Sequence, residues 1–107
     1  MALKLREWFV PDAWALLVAS DFEVTSTSRV GVRLSGAALL RAETGQLPSE
    51  GLVEGAIQVP PDGQPIIMLA DHPTTGGYPV IAVIDPADLP HAAQAVPGSF
   101  LRFTPAR

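Results

Sequence analysis

A mainly β fold with one or two short helices is what this sequence predicts, on three observations. Eleven prolines and nine glycines stand among 107 residues without any repeat period, which describes short elements joined by tight turns. Apolar and polar residues alternate with a period of two in Phe22–Thr25 and again in Val30–Ser35. Two further runs, Ile66–Leu69 and Val80–Ile84, are almost wholly apolar, as strands covered on both faces are. The length fits one domain, residues 1–107, large enough to bury a core.

Residues Pro11–Ser20 read as a helix. Pro11 suits a first helical turn, where its missing N–H has no intrahelical partner to lose, and Asp12 complements the positive end of the dipole. Trp14, Leu17 and Val18 then share a face, with Phe9 and Val10 packing at the entry. The two alternating strands are joined by the polar turn Ser26–Arg29. Gly36–Leu52 is loop-like, with a strand or helical turn near Ala38–Ala42 the only structure suggested. Ala56–Val59 and Pro65–Ala70 flank Pro60-Pro61-Asp62-Gly63, a hairpin signal in which Pro61 presets φ and Gly63 accepts φ > 0. Asp71–Tyr78 is too polar and glycine-rich for a strand. Asp85–Gln94 reads as a short helical turn with Asp88 as its cap. Val96-Pro97-Gly98 then turns the chain into a last strand, Phe100–Thr104, with Leu101 and Phe103 facing one way.

Composition removes several classes of function. Apolar residues make up 48% and charged residues 17%, a globular balance. The net charge is −4 and the seven basic residues are scattered, so there is no basic face for nucleic acid. Absence of cysteine rules out a disulfide framework, a thiolate zinc site and a cysteine nucleophile, and fits a cytoplasmic protein. Lys4, Arg6 and Glu7 interrupt the N-terminus, and the run Ala13–Ala19 is too short to span a bilayer, so no membrane association is expected. His72 and His91 show no metal-ligand spacing, and no nucleophile elbow, Walker loop or dinucleotide fingerprint occurs. An enzyme acting alone is not indicated.

The candidate chemistry gathers around Thr74-Thr75-Gly76-Gly77. Two glycines let the backbone enter left-handed conformations that point successive N–H groups at one anion, and two hydroxyls add donors. Such a turn suits a carboxylate, a carbamate or a carbonyl oxygen gaining negative charge. It would equally serve as a tight connection between two buried strands. Asp71 and His72 precede it and could move a proton or orient an amide, although neighbours on an extended chain point apart. Arg33, flanked by Gly31 and Gly36, is either a cross-strand partner or a carboxylate binder. Gln58 interrupts Ile57 and Val59, either as the outward face of a strand or as an amide that reads a polar substrate.

Ser28-Arg29-Val30-Gly31-Val32-Arg33-Leu34-Ser35-Gly36 resembles the last nine positions, x-R-M-G-x-R-L-x-G, of the S-x-R-M-G-x-R-L-x-G signature of the biotin-dependent carboxyltransferase-like family. Gly55–Tyr78 is similar to that family's G-A-I-Q-x-P-x-D-G-x-P-I-x-L-x-A-D-x-x-T-T-G-G-Y block, and Asp88-Leu89-Pro90, Gln94 and Pro97-Gly98 resemble its closing segment. Members include the C subunit of bacterial 5-oxoprolinase, allophanate hydrolase subunit 2, the carboxyltransferase part of urea amidolyase and an antagonist of a sporulation kinase inhibitor. Val30 stands where Met is usual, a swap expected to be tolerated in a core, and Ser28 replaces a frequent acid. The segment before Arg6 is short and unlike the family's further strand and Gly-Pro turn, so the chain resembles only the C-terminal part of a member.

The resemblance implies a cyclophilin-like closed β-barrel whose reacting site is shared with other parts of the protein and a B-type subunit. The 5-oxoprolinase relatives open 5-oxoproline to glutamate at the expense of ATP, and the urea relatives carboxylate urea through carboxybiotin. No cofactor is expected on this chain itself; ATP or biotin would serve the parent complex, and no metal is expected. The site residues implied are Gln58, Thr74, Thr75, Gly76, Gly77 and Arg33 for a small amide, with Asp71 and Tyr78 beside them as catalytic candidates. Two alternatives stand next to this reading: a docking or regulatory module, and an inactive remnant that could pair with itself as a homo-oligomer. A barrel of this kind does not by itself imply prolyl isomerase activity.

Overall fold

The computed structural model describes residues 2–5, 11–40 and 50–105. The expected helix is present as α1 (Pro11–Ala19), and Phe9 and Val10, expected at its entry, lie outside the described residues. Its most deeply buried side chains are Ala13 and Leu17, one turn apart, while Trp14 and Val18 are half-buried. The buried face is therefore turned by about one residue from the expected one.

The strands are β1 (Ala2–Leu5), β2 (Asp21–Thr27), β3 (Gly31–Ser35), β4 (Glu50–Gly51), β5 (Ala56–Gln58), β6 (Ile66–Met68), β7 (Thr75–Gly76), β8 (Val80–Ile84), β9 (Phe100–Arg102) and β10 (Thr104–Pro105). Eight of them make one sheet in the order β10-β1-β8-β5-β6-β3-β2-β9, and β4 pairs with β7 in a separate ribbon. The expected mainly β fold is what is observed. β9 and β10 are one run of chain broken only at Phe103; β9 pairs with β2 and β10 with β1, so the sheet curls until both its edges meet the same segment. The two ends of the sheet, β9 and β10, are only three and two residues long, and short edges offer little unpaired backbone.

Three local expectations change. Ala2–Leu5 is a strand after all, held antiparallel to β8 and parallel to β10, because ladder partners from elsewhere in the chain outweigh its weak local signal. Thr75–Gly76, expected to be non-strand, pairs with Glu50–Gly51. In the segment after β8, a 3-10 turn (Pro86–Asp88) precedes α2 (Leu89–Ala93), and the cap is Asp85, whose Oδ1 accepts from the N–H of Ala87 at 2.9 Å. Asp88 makes no side-chain capping hydrogen bond. Ala38–Leu40 has no regular structure, and 41–42 lie outside the described residues. No helix among the described residues is long and apolar enough to cross a membrane.

The pleat sends alternate residues to two clusters. The main core lies inside the curled sheet and holds Phe22, Val24, Val32, Leu34, Ile57 and Ile67, together with Leu17 from α1 and Ala92 from α2. Phe22 and Phe103 pack there as tilted rings, centroids 5.8 Å apart at 59°. A smaller cluster, Leu52, Ala56, Met68 and Val80, contains residues from β5, β6 and β8 together with Leu52 beside β4.

Candidate functional site

The hairpin expected around Pro60–Gly63 forms as predicted and fixes register. Gly63 has φ of 78°, and its N–H donates to the carbonyl of Pro60 at 2.9 Å. With that turn set, Gln58 pairs with Ile66 across β5 and β6, and Ile66 pairs with Arg33 across β6 and β3. A β-bulge between Ile57 and Gln58 brings Val80 opposite Gln58, and a second between Val24 and Ser26 brings Ser26 opposite Arg33. The outcome is a row, Val80–Gln58–Ile66–Arg33–Ser26, with one residue from each of five adjacent strands and a bulge at each end. Bulges re-aim side chains and recur beside functional sites. Ile57, Ile67 and Val32, in the next row, fall on the opposite face and enter the main core.

Over this row lies a cleft of about 520 Å³, within the range of small-molecule sites. Ile66, Met68 and Gly31 form its floor, Gln58 and Arg33 stand on either side of Ile66, Ser26 and Ser28 lie at the Arg33 end, and Pro73 and Tyr78 complete its lining. Two strand spacings place the Cα atoms of Gln58 and Arg33 about 10 Å apart. Among the described residues, Arg33 is the one charged residue lining the cleft, and its guanidinium has no ion-pair partner there. Arg33 thus brings a positive charge to the cleft in a protein of net charge −4.

Gln58 is the feature that distinguishes this cleft. It is the one polar side chain that is buried among the described residues, only 7% exposed, and it makes no side-chain hydrogen bond to any of them. Its polar atoms nonetheless reach solvent, since no side-chain nitrogen or oxygen among the described residues is buried without a hydrogen-bond partner. An amide held at a cleft wall without a protein partner is one that a ligand can satisfy. Gln58 offers an acceptor and two donors, Arg33 donors only, and the serines and Tyr78 hydroxyls of either sense. Among the described residues that line the cleft are donors and acceptors that bind and polarise, but no histidine or carboxylate.

Three of the residues expected at the site therefore meet here: Gln58, Arg33 and Tyr78. The others do not line the cleft. Asp71 is exposed, and its Oδ2 accepts from Nε of Arg29 at 2.7 Å; the Arg29 hydrogen bond and charge hold the Asp71 carboxyl below its ordinary range. With the Asp71 N–H donating to the Arg29 carbonyl, this pair ties the 69–73 turn to the β2–β3 loop. His72 is likewise engaged by its own turn, Nδ1 lying 2.6 Å from the carbonyl of Pro73.

Thr74 and Thr75 are exposed, and the carbonyl of Thr74 accepts from the N–H of Leu52 at 3.0 Å. Gly76 and Gly77 do not have left-handed φ, so the expected curl of N–H groups around an anion is not formed. Gly76 instead lies in the β4–β7 ribbon against Gln58. Val30 is 46% exposed and lines the cleft rather than filling the core as expected, because it precedes β3 in the turn. Sequence reasoning missed Ser26, Ser28, Ile66 and Met68. The hydroxyl run Ser26-Thr27-Ser28 beside an alternating strand was the available signal, whereas the bulges that aim it had none.

Residues 3–105 match the family described as carboxyltransferase domain, subdomain A and B. The chain belongs to this family. Two curated relatives are each the C subunit of a 5-oxoprolinase. The chain is 46% identical to the one from Escherichia coli over 85 residues, 78% of this chain, and 43% identical to the one from Haemophilus influenzae over 100 residues, 94% of this chain. Those matches cover 27% and 30% of the relatives, so the chain spans less than a third of their length. Among solved structures, the urea amidolyase of K. lactis superposes with a TM-score of 0.89 at 23% identity, over 98% of this chain and 7% of that one. That last likeness is one of fold.

Proposed function

We propose that this chain is part of a multi-subunit enzyme acting on a small amide, of the 5-oxoprolinase type, and that the Gln58–Arg33 cleft receives the amide. The single observation carrying this is the carboxamide of Gln58, which has no hydrogen-bond partner among the described residues and stands with Arg33 on the lining of one cleft. A primary carboxamide can meet both the C=O and the N–H of a partner whose two groups lie on one edge, as in a lactam or a urea. An ordinary secondary amide is trans and shows them on opposite edges. Arg33 then suits a carboxylate carried by the same ligand, and Tyr78 covers it.

The names of the two relatives support this reading, since both belong to a 5-oxoprolinase, at 46% and 43% identity. The chain would correspond to the C-terminal part of such a protein and would work in the cytoplasm with a B-type partner. ATP or biotin, where the complex uses them, would be handled by its other parts. Asp71 in this reading positions a loop and does not touch the ligand.

The test is titration of isotopically labelled protein with 5-oxoproline and, separately, with urea, following the side-chain NH2 signals of Gln58 by NMR. Those signals should shift with ligand, and Gln58→Ala should weaken binding about 5- to 150-fold, the effect of losing about 1–3 kcal/mol of hydrogen bonding. Reconstitution with A- and B-type subunits, measuring ATP-dependent glutamate release, reads the activity. If Gln58 signals stay fixed at saturating ligand with those subunits present, the amide-processing reading fails and a docking role takes its place.

A further inference from the structure

We infer that Gly76 is the positioning residue for Gln58: the missing side chain at 76 leaves the seat in which the Gln58 carboxamide rests, and the β4–β7 ribbon thereby sets how far Gln58 reaches into the cleft. The inference rests on the reading that Gln58 meets the ligand.

Three observations single out Gly76. A Cβ placed there would collide with Nε2 of Gln58 and stand 3.0 Å from Cδ1 of Leu52. The backbone at 76 has no left-handed φ, and its pairing with Glu50 is one any residue can make, so conformation gives no reason for glycine. Gly77 supplies the contrast, because a Cβ there would meet nothing within 4 Å. Of two adjacent glycines, then, only at the first would a side chain meet a neighbour, and the nearest neighbour is the far end of the Gln58 side chain.

The energetics point the same way. Gln58 makes no hydrogen bond to the described residues that would fix its rotamer. The carboxamide end instead borders Gly76, and Cδ1 of Leu52 also lies close to Gly76. A methyl group at 76 would drive the carboxamide off that wall and leave it displaced from the geometry a planar amide needs, while a flexible side-chain end can yield without disturbing the ladder. Supporting contacts of this kind decide whether a site is productive, since misplacement by about an ångström costs about 100-fold.

The experiment uses the full chain and four variants: Gly76→Ala, Gly77→Ala, Gln58→Ala and the double Gly76→Ala/Gln58→Ala, with 5-oxoproline as probe. In ligand-free protein, the Gln58 NH2 signals, assigned by their loss in Gln58→Ala, should move in Gly76→Ala and stay in place in Gly77→Ala. Binding should fall about 10-fold in Gly76→Ala and be unchanged in Gly77→Ala, and adding Gly76→Ala to Gln58→Ala should cost nothing further. If Gly76→Ala does not fold, removing Gln58 in the double variant should restore folding. Unmoved Gln58 signals in Gly76→Ala, additive losses in the double variant, or failure of that rescue would each overturn the inference. An unliganded shift in Gly76→Ala, combined with wild-type Gln58 signals that ignore 5-oxoproline even with the partner subunits added, would uphold the packing and overturn the binding reading instead.

Discussion

Asp71 shows how a single residue's chemistry depends on what reaches it. The sequence places a carboxylate beside a glycine-rich turn; the fold places Arg29 against it, with Nε 2.7 Å from Oδ2. Both groups are exposed, so the pair is a loop tie of modest strength. Its sign is nonetheless fixed. The folded Asp71 binds its proton less readily than the unfolded one, so its contribution is fully present above the ordinary value of 3.8 and is lost as pH falls through the depressed folded value. Urea midpoints measured for the wild type and Asp71→Asn should therefore differ at neutral pH and converge as the solution is made strongly acidic. A gap that persists unchanged in acid would contradict the pairing.

At the scale of elements, the cleft floor depends on how closely β3 approaches β6. Gly31 pairs with Met68, and a Cβ at 31 would stand 2.8 Å from the backbone carbonyl oxygen of Ile67 and 3.3 Å from Cγ2 of Ile66. Backbone cannot swing away as a side-chain end can. Gly31→Ala should push the strands apart and destabilise by about 1–3 kcal/mol in chemical denaturation, widening the floor between Ile66 and Arg33 as it does so. Stability within about 0.5 kcal/mol of wild type, the usual range for a surface change, would mean the strands are less tightly apposed. The same approach explains why Gly31 and Arg33 lie together in the signature: one lets the strands close, the other uses the face that closure creates.

For the whole molecule, closure rests on Phe103. It separates β9 from β10, is fully buried, and packs on Phe22 while its two flanking strands serve opposite edges of the sheet. Phe103→Ala should cost about 3–5 kcal/mol, read as a fall in thermal midpoint. Because the row from Val80 to Ser26 runs across the curled sheet, the same variant should also weaken 5-oxoproline binding at temperatures where it remains folded.

Composition and local pattern were enough to determine the mainly β class, α1, the alternating faces of β2 and β3, the turn at Gly63 and the buried strands β6 and β8, because each is encoded by neighbours in the chain. Arg33, Gln58 and Tyr78 could be nominated from residue type and motif for the same reason. The tertiary structure alone decided that those three share a cleft while Asp71, Thr74, Thr75, Gly76 and Gly77 do not line it. Strand register, the two bulges and the seat at Gly76 arise from contacts between residues far apart in sequence, and no local pattern records where a distant strand will pair.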